Sequence, residues 1–307
     1  MLSPSTRVTA KSAARLESKV DRLVALVEAM TERQKQEDKW RRRVRRQMDA
    51  LMRREFLNHA ELPVPESIIR RRFVLYSQNE EDGIALALLS RAGVIARRFV
   101  EIGCGAKGGN SAILACELGW SGLMIDANPL LLEGLRSVLG VPPSVIVSCA
   151  TVSSANINEI LERHGMTGDV DLLSIDIDST DYWVLAALEA CRPRLLVMEY
   201  NALFGPTRAV TLPDTPIPGK RPKGYFGASL AALEKLARRK GYGLVLCEPA
   251  GVNAFFLRDD LAPDIPRLAP ADAYRAPLDR RALLEPERKA IDIYGVIDAH
   301  RLPLVEV

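Results

Sequence analysis

Apolar residues in the first part of the chain fall alternately four and three positions apart, at Leu16, Val20, Leu23, Val27 and Met30. The same frame passes through polar Gln34, Glu37 and Arg41 and recovers at Val44, Met48 and Leu51. This spacing lays one apolar seam along a helix, as in a coiled coil, and predicts a homo-oligomer formed through this segment. A single amphipathic helix docked on its own domain would carry the same seam. Lys39, Arg41, Arg42, Arg43, Arg45 and Arg46 form a basic run, read as a solvated helix face or as a surface attracting phosphate or anionic lipid. Leu62-Pro63-Val64-Pro65 ends the helix, because proline cannot continue it and its predecessor avoids helical angles. Residues 1–62 are thus expected to be a polar, disordered tip followed by an amphipathic helix.

From Phe73 the pattern changes to short apolar strands alternating with helical segments. Strands are predicted over 99–102, 122–125, 144–147, 172–175 and 195–198, and helices near 80–91, 110–118, 129–139, 155–164 and 181–190. Such alternation predicts an α/β, Rossmann-like fold with a mostly parallel sheet covered on both faces. A helix over 230–240, stopped by Gly241, precedes two strands over 243–247 and 253–257. The connection Glu248-Pro249-Ala250-Gly251-Val252 is too short for a crossover helix, so these strands should pair as an antiparallel hairpin. The domain is placed at 73–260. Residues 261–307 form a proline-rich extension with one late helix, near 278–290.

Composition narrows the function. The 307 residues are 48% hydrophobic, enough for a full core. A net charge of +3 does not suit a wholly basic nucleic-acid binder, and no nucleic-acid partner is expected. No apolar run is long enough to span a bilayer, and the N-terminus has no secretory apolar region. Cys104, Cys116, Cys149, Cys191 and Cys247 are odd in number and show no metal-ligand spacing, which predicts reduced thiols in a cytoplasmic protein.

The stretch Phe99-Val100-Glu101-Ile102-Gly103-Cys104-Gly105-Ala106-Lys107-Gly108-Gly109 carries the most chemistry. An apolar strand enters a glycine-rich turn that opens a helix, so a ligand can approach the main chain closely. Gly103, Gly105 and Gly108 satisfy G-x-G-x-x-G, a weak sign of a dinucleotide site. Glu101 and the two glycines after it, in the order E-x-G-x-G, resemble instead the first motif of class I S-adenosylmethionine-dependent methyltransferases. In that family the strand-end acid faces the ligand's ammonium group or its bound water, whereas a pyrophosphate would be repelled. Asp126 closes the next strand, where an acid can accept both ribose hydroxyls; NAD enzymes share this feature. Asn128 is placed with it among the cofactor-binding residues. The predicted hairpin is what class I methyltransferases add after the fifth strand. The third glycine of their pattern falls on Lys107, which suggests a loop one residue longer.

Upstream, Tyr76-Ser77-Gln78-Asn79-Glu80-Glu81-Asp82-Gly83-Ile84 reads as a capping box of Ser77 with Glu80. That leaves Gln78 and Asp82 unexplained. The motif is similar to one branch of the FkbM-type methyltransferases, carrying S-Q-N-x-E-D-G-I, and this resemblance implies that both residues belong to the cofactor site. Supporting matches are Gly119-Trp120-Ser121-Gly122, Asp171-Leu172-Leu173-Ser174-Ile175-Asp176-Ile177-Asp178, Glu199-Tyr200-Asn201, Gly227-Ala228-Ser229-Leu230 and Lys240-Gly241-Tyr242. The resemblance spans about Phe73 to Asp260. It implies S-adenosylmethionine as cofactor and, more loosely, O-methylation of a saccharide or secondary metabolite. It also places Cys149, after the third strand, beside the adenine.

Asp176, Asp178 and Asp181 leave the fourth strand together, at the sheet edge where parallel folds bind ligands. Asp176 and Asp178 share a side if the chain stays extended there. Crowded carboxylates need a cation or a raised pKa. One can act as general base for a hydroxyl, with Asp176, Asp178 and Glu199 the catalytic candidates. Alternatively Asp176, Asp178 and Asp181 can hold Mg²⁺, and Asp181 can simply favour a helix N-terminus. Residues 204–226 form a long loop with Arg208, Lys220, Arg221 and Lys223, suited to a substrate lid. The other enzyme reading is an NAD-dependent oxidoreductase or epimerase, opposed by the lack of a Tyr-x-x-x-Lys pair after the fourth strand. A non-catalytic cofactor-binding scaffold is the third.

Overall fold

The computed structural model describes residues 19–40, 43–44, 62–215, 221–278 and 290–307. The chain divides into two compact units between His59 and Ala60. In the first unit, residues 19–40 form one continuous helix, α1. Its large apolar side chains lie in solvent, from Val20 at 50% exposed to Met30 at 69%. The expected recovery of the seam at Met48 and Leu51, and the end of the helix, lie outside the described residues.

The second unit begins with a single turn, α2 (Glu66–Ile69), and α3 (Glu81–Ala92). There follow β1 (Arg98–Ile102), α4 (Ala112–Cys116), β2 (Ser121–Asp126), α5 (Pro129–Leu139), β3 (Val145–Cys149) and α6 (Ile157–Arg163). Next come β4 (Gly168–Ile175), α7 (Asp181–Ala187), β5 (Cys191–Glu199), β6 (Val210–Thr211) and α8 (Leu230–Arg239). The hairpin β7 (Tyr242–Cys247) and β8 (Asn253–Arg258), the turn α9 (Pro270–Ala273), α10 (Ile293–His300) and β9 (Val305–Glu306) complete the unit.

Seven strands join in the order β3-β2-β1-β4-β5-β8-β7. Strands β1 to β5 run parallel. The last strand of the hairpin inserts antiparallel between β5 and β7, as the short 248–252 connection requires. Alternate side chains enter opposite layers. Val100, Ile102 and Leu173 pack with Ile160, Leu185 and Leu233 of α6, α7 and α8 on one face. Phe99, Met124 and Leu172 pack with Leu88, Leu114 and Leu135 of α3, α4 and α5 on the other. This three-layer burial explains why β1, β2 and β4 read as nearly unbroken apolar runs.

Strand β5 starts four residues before its predicted position and takes in Pro193. The ladder tolerates Pro193 because β8 pairs only from Leu195 onward, so the chain is locally an edge there. The predicted helix near 278–290 falls largely on residues outside those described; the observed helix is α10. The C-terminal extension folds back into the unit. β9 pairs with β6, and Phe204, Val210, Leu212, Tyr225, Ile293 and Ile297 form a small apolar cluster. The described part of the 204–226 loop is therefore anchored through β6.

The capping box takes a different form from the predicted one. Glu80 adopts a left-handed conformation, φ 80°, and its carboxylate pairs with Arg72 at 2.9 Å. Ser77 Oγ accepts the Asp82 N–H at 3.2 Å. The Asp82 carboxylate reaches back to the N–H groups of Leu75 (2.5 Å), Tyr76 (2.8 Å) and Ser77 (3.2 Å). The reciprocal cap thus joins Ser77 to Asp82, because the chain bends at Glu80 before α3 begins. Asp82 is fully buried in this role and lines neither of the two cavities described below.

Within α3, a methyl group on Gly83 would overlap the Arg71 carbonyl and lie 2.7 Å from the Phe73 nitrogen. Gly83→Ala in an ordinary helix gains about 1 kcal/mol. Here it should lose roughly 1–3 kcal/mol by overpacking, seen as a lower urea midpoint at unchanged slope.

Candidate active site

The main chain leaving β1 is held by two hydrogen bonds to the Ile125 carbonyl, from Gly103 N at 2.8 Å and Cys104 N at 3.0 Å. Gly103 has φ +84°, and a Cβ there would overlap the Asp176 carbonyl. Only glycine satisfies both conditions. The loop then makes a 3₁₀ turn over Gly105–Lys107 before Gly109, where a Cβ would overlap the Glu101 carboxylate. Glu101 itself is buried beneath the loop. It accepts Asn110 N–H at 3.1 Å and the Ser111 hydroxyl. Burial pushes its carboxyl up to about 8, against the lowering effect of those bonds. It shapes the loop from behind and does not line the cavity.

A cavity of about 470 Å³ opens beyond the C-terminal ends of β1, β2 and β4, between Gly103, Gly105, Asp126, Val152, Asp176 and Asp178. Asp126 accepts Gly105 N–H at 2.9 Å with one oxygen and Asn128 N–H at 2.8 Å with the other. Each oxygen keeps a lone pair for a ribose hydroxyl. Asn128 caps α5 through Leu130 N–H at 3.0 Å and is exposed outside the cavity. Cys149 is also exposed; its neighbour Ala150, with Thr151, supplies that wall. Cys104 is buried, and burial raises its thiol above the usual range. The described lining carries three carboxylates and no lysine or arginine.

The acidic cluster differs in membership from the sequence expectation. Asp181 turns away: its carboxylate accepts Ile177 N–H at 2.8 Å and Ser179 N–H at 2.9 Å, closing the turn that starts α7. That removes Asp181 from the metal trio. The chain is not extended at Asp178, which is left-handed at φ 55°. Its carbonyl accepts Arg221 Nη1 at 2.6 Å. Glu199, at the end of β5, takes the third place. Carboxylate oxygens of Asp176, Asp178 and Glu199 lie within 4.8 Å of one another. Burial, followed by the neighbouring acids, raises the pKa values of both Asp176 and Glu199. Glu199 Oε2 is buried without a hydrogen-bond partner.

Glu199 also lines a second cavity, of about 510 Å³, on the far side of the cluster. Gln78 and Asn79 reach it from the turn before α3, Val252 from the hairpin, Phe226 from the anchored loop, and Leu278 and Ile291 from the C-terminal extension. Gln78 therefore faces this second cavity, not the first. Tyr200 and Asn201 are buried in its wall. Tyr200 donates its hydroxyl to the Arg275 carbonyl at 2.8 Å. Asn201 donates to the Gly224 and Phe226 carbonyls at 2.7 and 2.9 Å and accepts Leu203 N–H at 3.1 Å. Asn79 stood in the motif before α3 without a role of its own, and Leu203, Val252 and Ile291 carry no sequence signal, since these residues meet only after the chain folds.

No protein-family model matches the chain, and no curated protein matches it. Similar solved structures include the methyltransferase domain of bacterial CtHen1-C, with 13% identity over 58% of this chain and 96% of that one, TM-score 0.39. The N-terminal domain of EvdMO1 with SAH bound has 15% identity over 59% and 81%, TM-score 0.38. A SAM dependent methyltransferase from Aquifex aeolicus has 12% identity over 57% and 89%, TM-score 0.34. The mostly parallel, Rossmann-like sheet has one antiparallel strand inserted next to the last, as expected from the short hairpin connection. Among the described residues no helix is long and apolar enough to cross a membrane.

Because the folded value for Glu101 is raised, the folded state holds a proton that the unfolded chain releases between about 4.5 and about 8. Stability supplied by this group is therefore greatest below that window and falls as pH rises through it. Urea titrations from pH 5 to pH 8 should show a shallower decline for Glu101→Gln than for the unsubstituted protein.

Proposed function

We propose that the protein is an S-adenosylmethionine-dependent O-methyltransferase, with the methyl donor in the first cavity and the acceptor in the second. One observation carries this reading: the two cavities meet at the Asp176–Glu199 pair. The first cavity fits the donor in charge, since three carboxylates and no cation among its described lining residues suit a sulfonium and an ammonium group and oppose a diphosphate. It also fits in shape, since Gly103 leaves room for a ligand against the main chain. S-adenosylmethionine supplies an electrophilic methyl group when bound. Asp126 would hold the ribose, with Ala150 and Val152 against the base.

The protein's own chemistry is positioning and removal of one proton. Glu199 Oε2, buried and unpartnered, accepts the proton of an acceptor hydroxyl. The proton already on Glu199 passes to Asp176, so the pair ends doubly protonated and the acceptor oxygen is freed to form its new bond to carbon. This requires an ionised Asp176, whose carboxyl is raised to about 7 by burial and its acidic neighbours. The rate should then climb as pH rises through about 7 and level off above it.

The acceptor side favours an apolar body bearing a hydroxyl over a saccharide. Among the described lining residues, Tyr200 and Asn201 spend their polar atoms inside the protein. Leu203, Phe226, Val252, Pro277, Leu278 and Ile291 form apolar walls. A sugar would bring many hydroxyls against these apolar walls, with Gln78, Glu199 and Lys223 as polar groups to meet them. Lys223 at the rim suits an anionic substituent. A Mg²⁺ ion at Asp176, Asp178 and Glu199 is a second reading, supported by the spacing of their oxygens.

Release of S-adenosylhomocysteine from S-adenosylmethionine, measured across phenols, apolar hydroxy acids and sugars, tests these assignments. Turnover is expected with the first two classes and without added metal. Glu199→Gln should lower kcat about 10²–10⁴-fold while S-adenosylmethionine still binds, and Asp176→Asn should flatten the pH profile. Unchanged kcat in Glu199→Gln would remove the proposed base, and loss of turnover on chelation would favour the metal.

A further inference from the structure

Helix α1 contributes no residue to the site proposed above, and its surface is incomplete as a single helix. Val20, Leu23, Val27 and Met30 form a three-four seam, widened by Val24 and Leu26, and all six are at least half exposed. A solitary helix of this length gains little stability from propensity alone, and a continuous apolar stripe of this kind marks an association surface.

We propose that α1 pairs with α1 of a second copy of this chain, parallel and in register. In heptad terms Val20 and Val27 occupy a, and Leu23 and Met30 occupy d. β-branched residues at a with leucine at d favour two parallel strands. The same frame puts Gln34 at a, where a polar residue fixes register. It puts Arg33 at g and Asp38 at the following e. In a parallel, in-register pair, Arg33 of one chain faces Asp38 of the other, and symmetry makes the contact twice. Among the described residues neither side chain has an ion-pair partner along its own helix. An antiparallel pair would bring g against g, setting Arg33 toward Lys19, a like charge. Seam and charge pattern therefore agree on both partner and direction.

Sedimentation velocity on the full chain tests the association. The expected mass is twice 33.9 kDa, falling to one chain in Leu23→Glu/Val27→Glu with the thermal unfolding of the catalytic unit unmoved. Orientation is read from Leu23→Cys, which should form an interchain disulfide on oxidation at a level well above that of the unsubstituted protein. A monomer at all concentrations, a dimer that persists in the double variant, or a trimer would each overturn the proposal. A Leu23→Cys dimer that fails to cross-link would overturn the parallel, in-register arrangement.

Discussion

The end of β1 and the end of β4 approach so closely at Gly103 that a single methyl group would overlap the Asp176 carbonyl. Parallel strands hydrogen-bonded side by side deliver both chains to the same edge of the sheet. The glycine lets them turn apart there without a gap. Asp176 is consequently fixed beside the glycine loop, and Glu199, one strand further along, is brought against Asp176. The floor of the first cavity and the boundary of the second follow from this one piece of packing. Buried carboxyls at that boundary cannot all ionise, so the packing also sets the proton inventory of the site.

Two kinds of acid stand out in this chain. Asp82, Asp171 and Asp181 are fully buried and spend their oxygens on backbone N–H groups. They hold turns in place. Asp126, Asp176, Asp178 and Glu199 keep oxygens directed to a cavity or to one another. Sequence position does not separate the kinds: Asp178 and Asp181 are three residues apart. The separation comes from the left-handed turn at Asp178, which sends one carboxylate to the site and lets the other close the turn.

Much of the scaffold was legible because periodicity reports burial directly. The alternation of strands and helices, the hairpin and the glycine loop are local patterns, and each appears where its residues place it. The N-terminus of α3 was misjudged, since Ser77-x-x-Glu80 and Ser77-x-x-x-x-Asp82 are both local and only the bend at Glu80 decides between them. The metal trio was misjudged for the related reason that spacing along one strand says nothing of a neighbouring strand. Glu199 joins Asp176 through the register of β4 with β5. The wall of the second cavity was least legible, because Leu203, Val252 and Ile291 come from distant parts of the chain and meet only in the folded unit.

The account depends most on the charge of the first cavity, and calorimetric titration with S-adenosylhomocysteine, with NAD in parallel, tests it directly. Binding of S-adenosylhomocysteine, weakened at least about tenfold (roughly 1.4 kcal/mol) in Asp126→Ala, with no heat from NAD, is the predicted result. Binding of NAD with none of S-adenosylhomocysteine would contradict it, since a diphosphate would then be held among carboxylates.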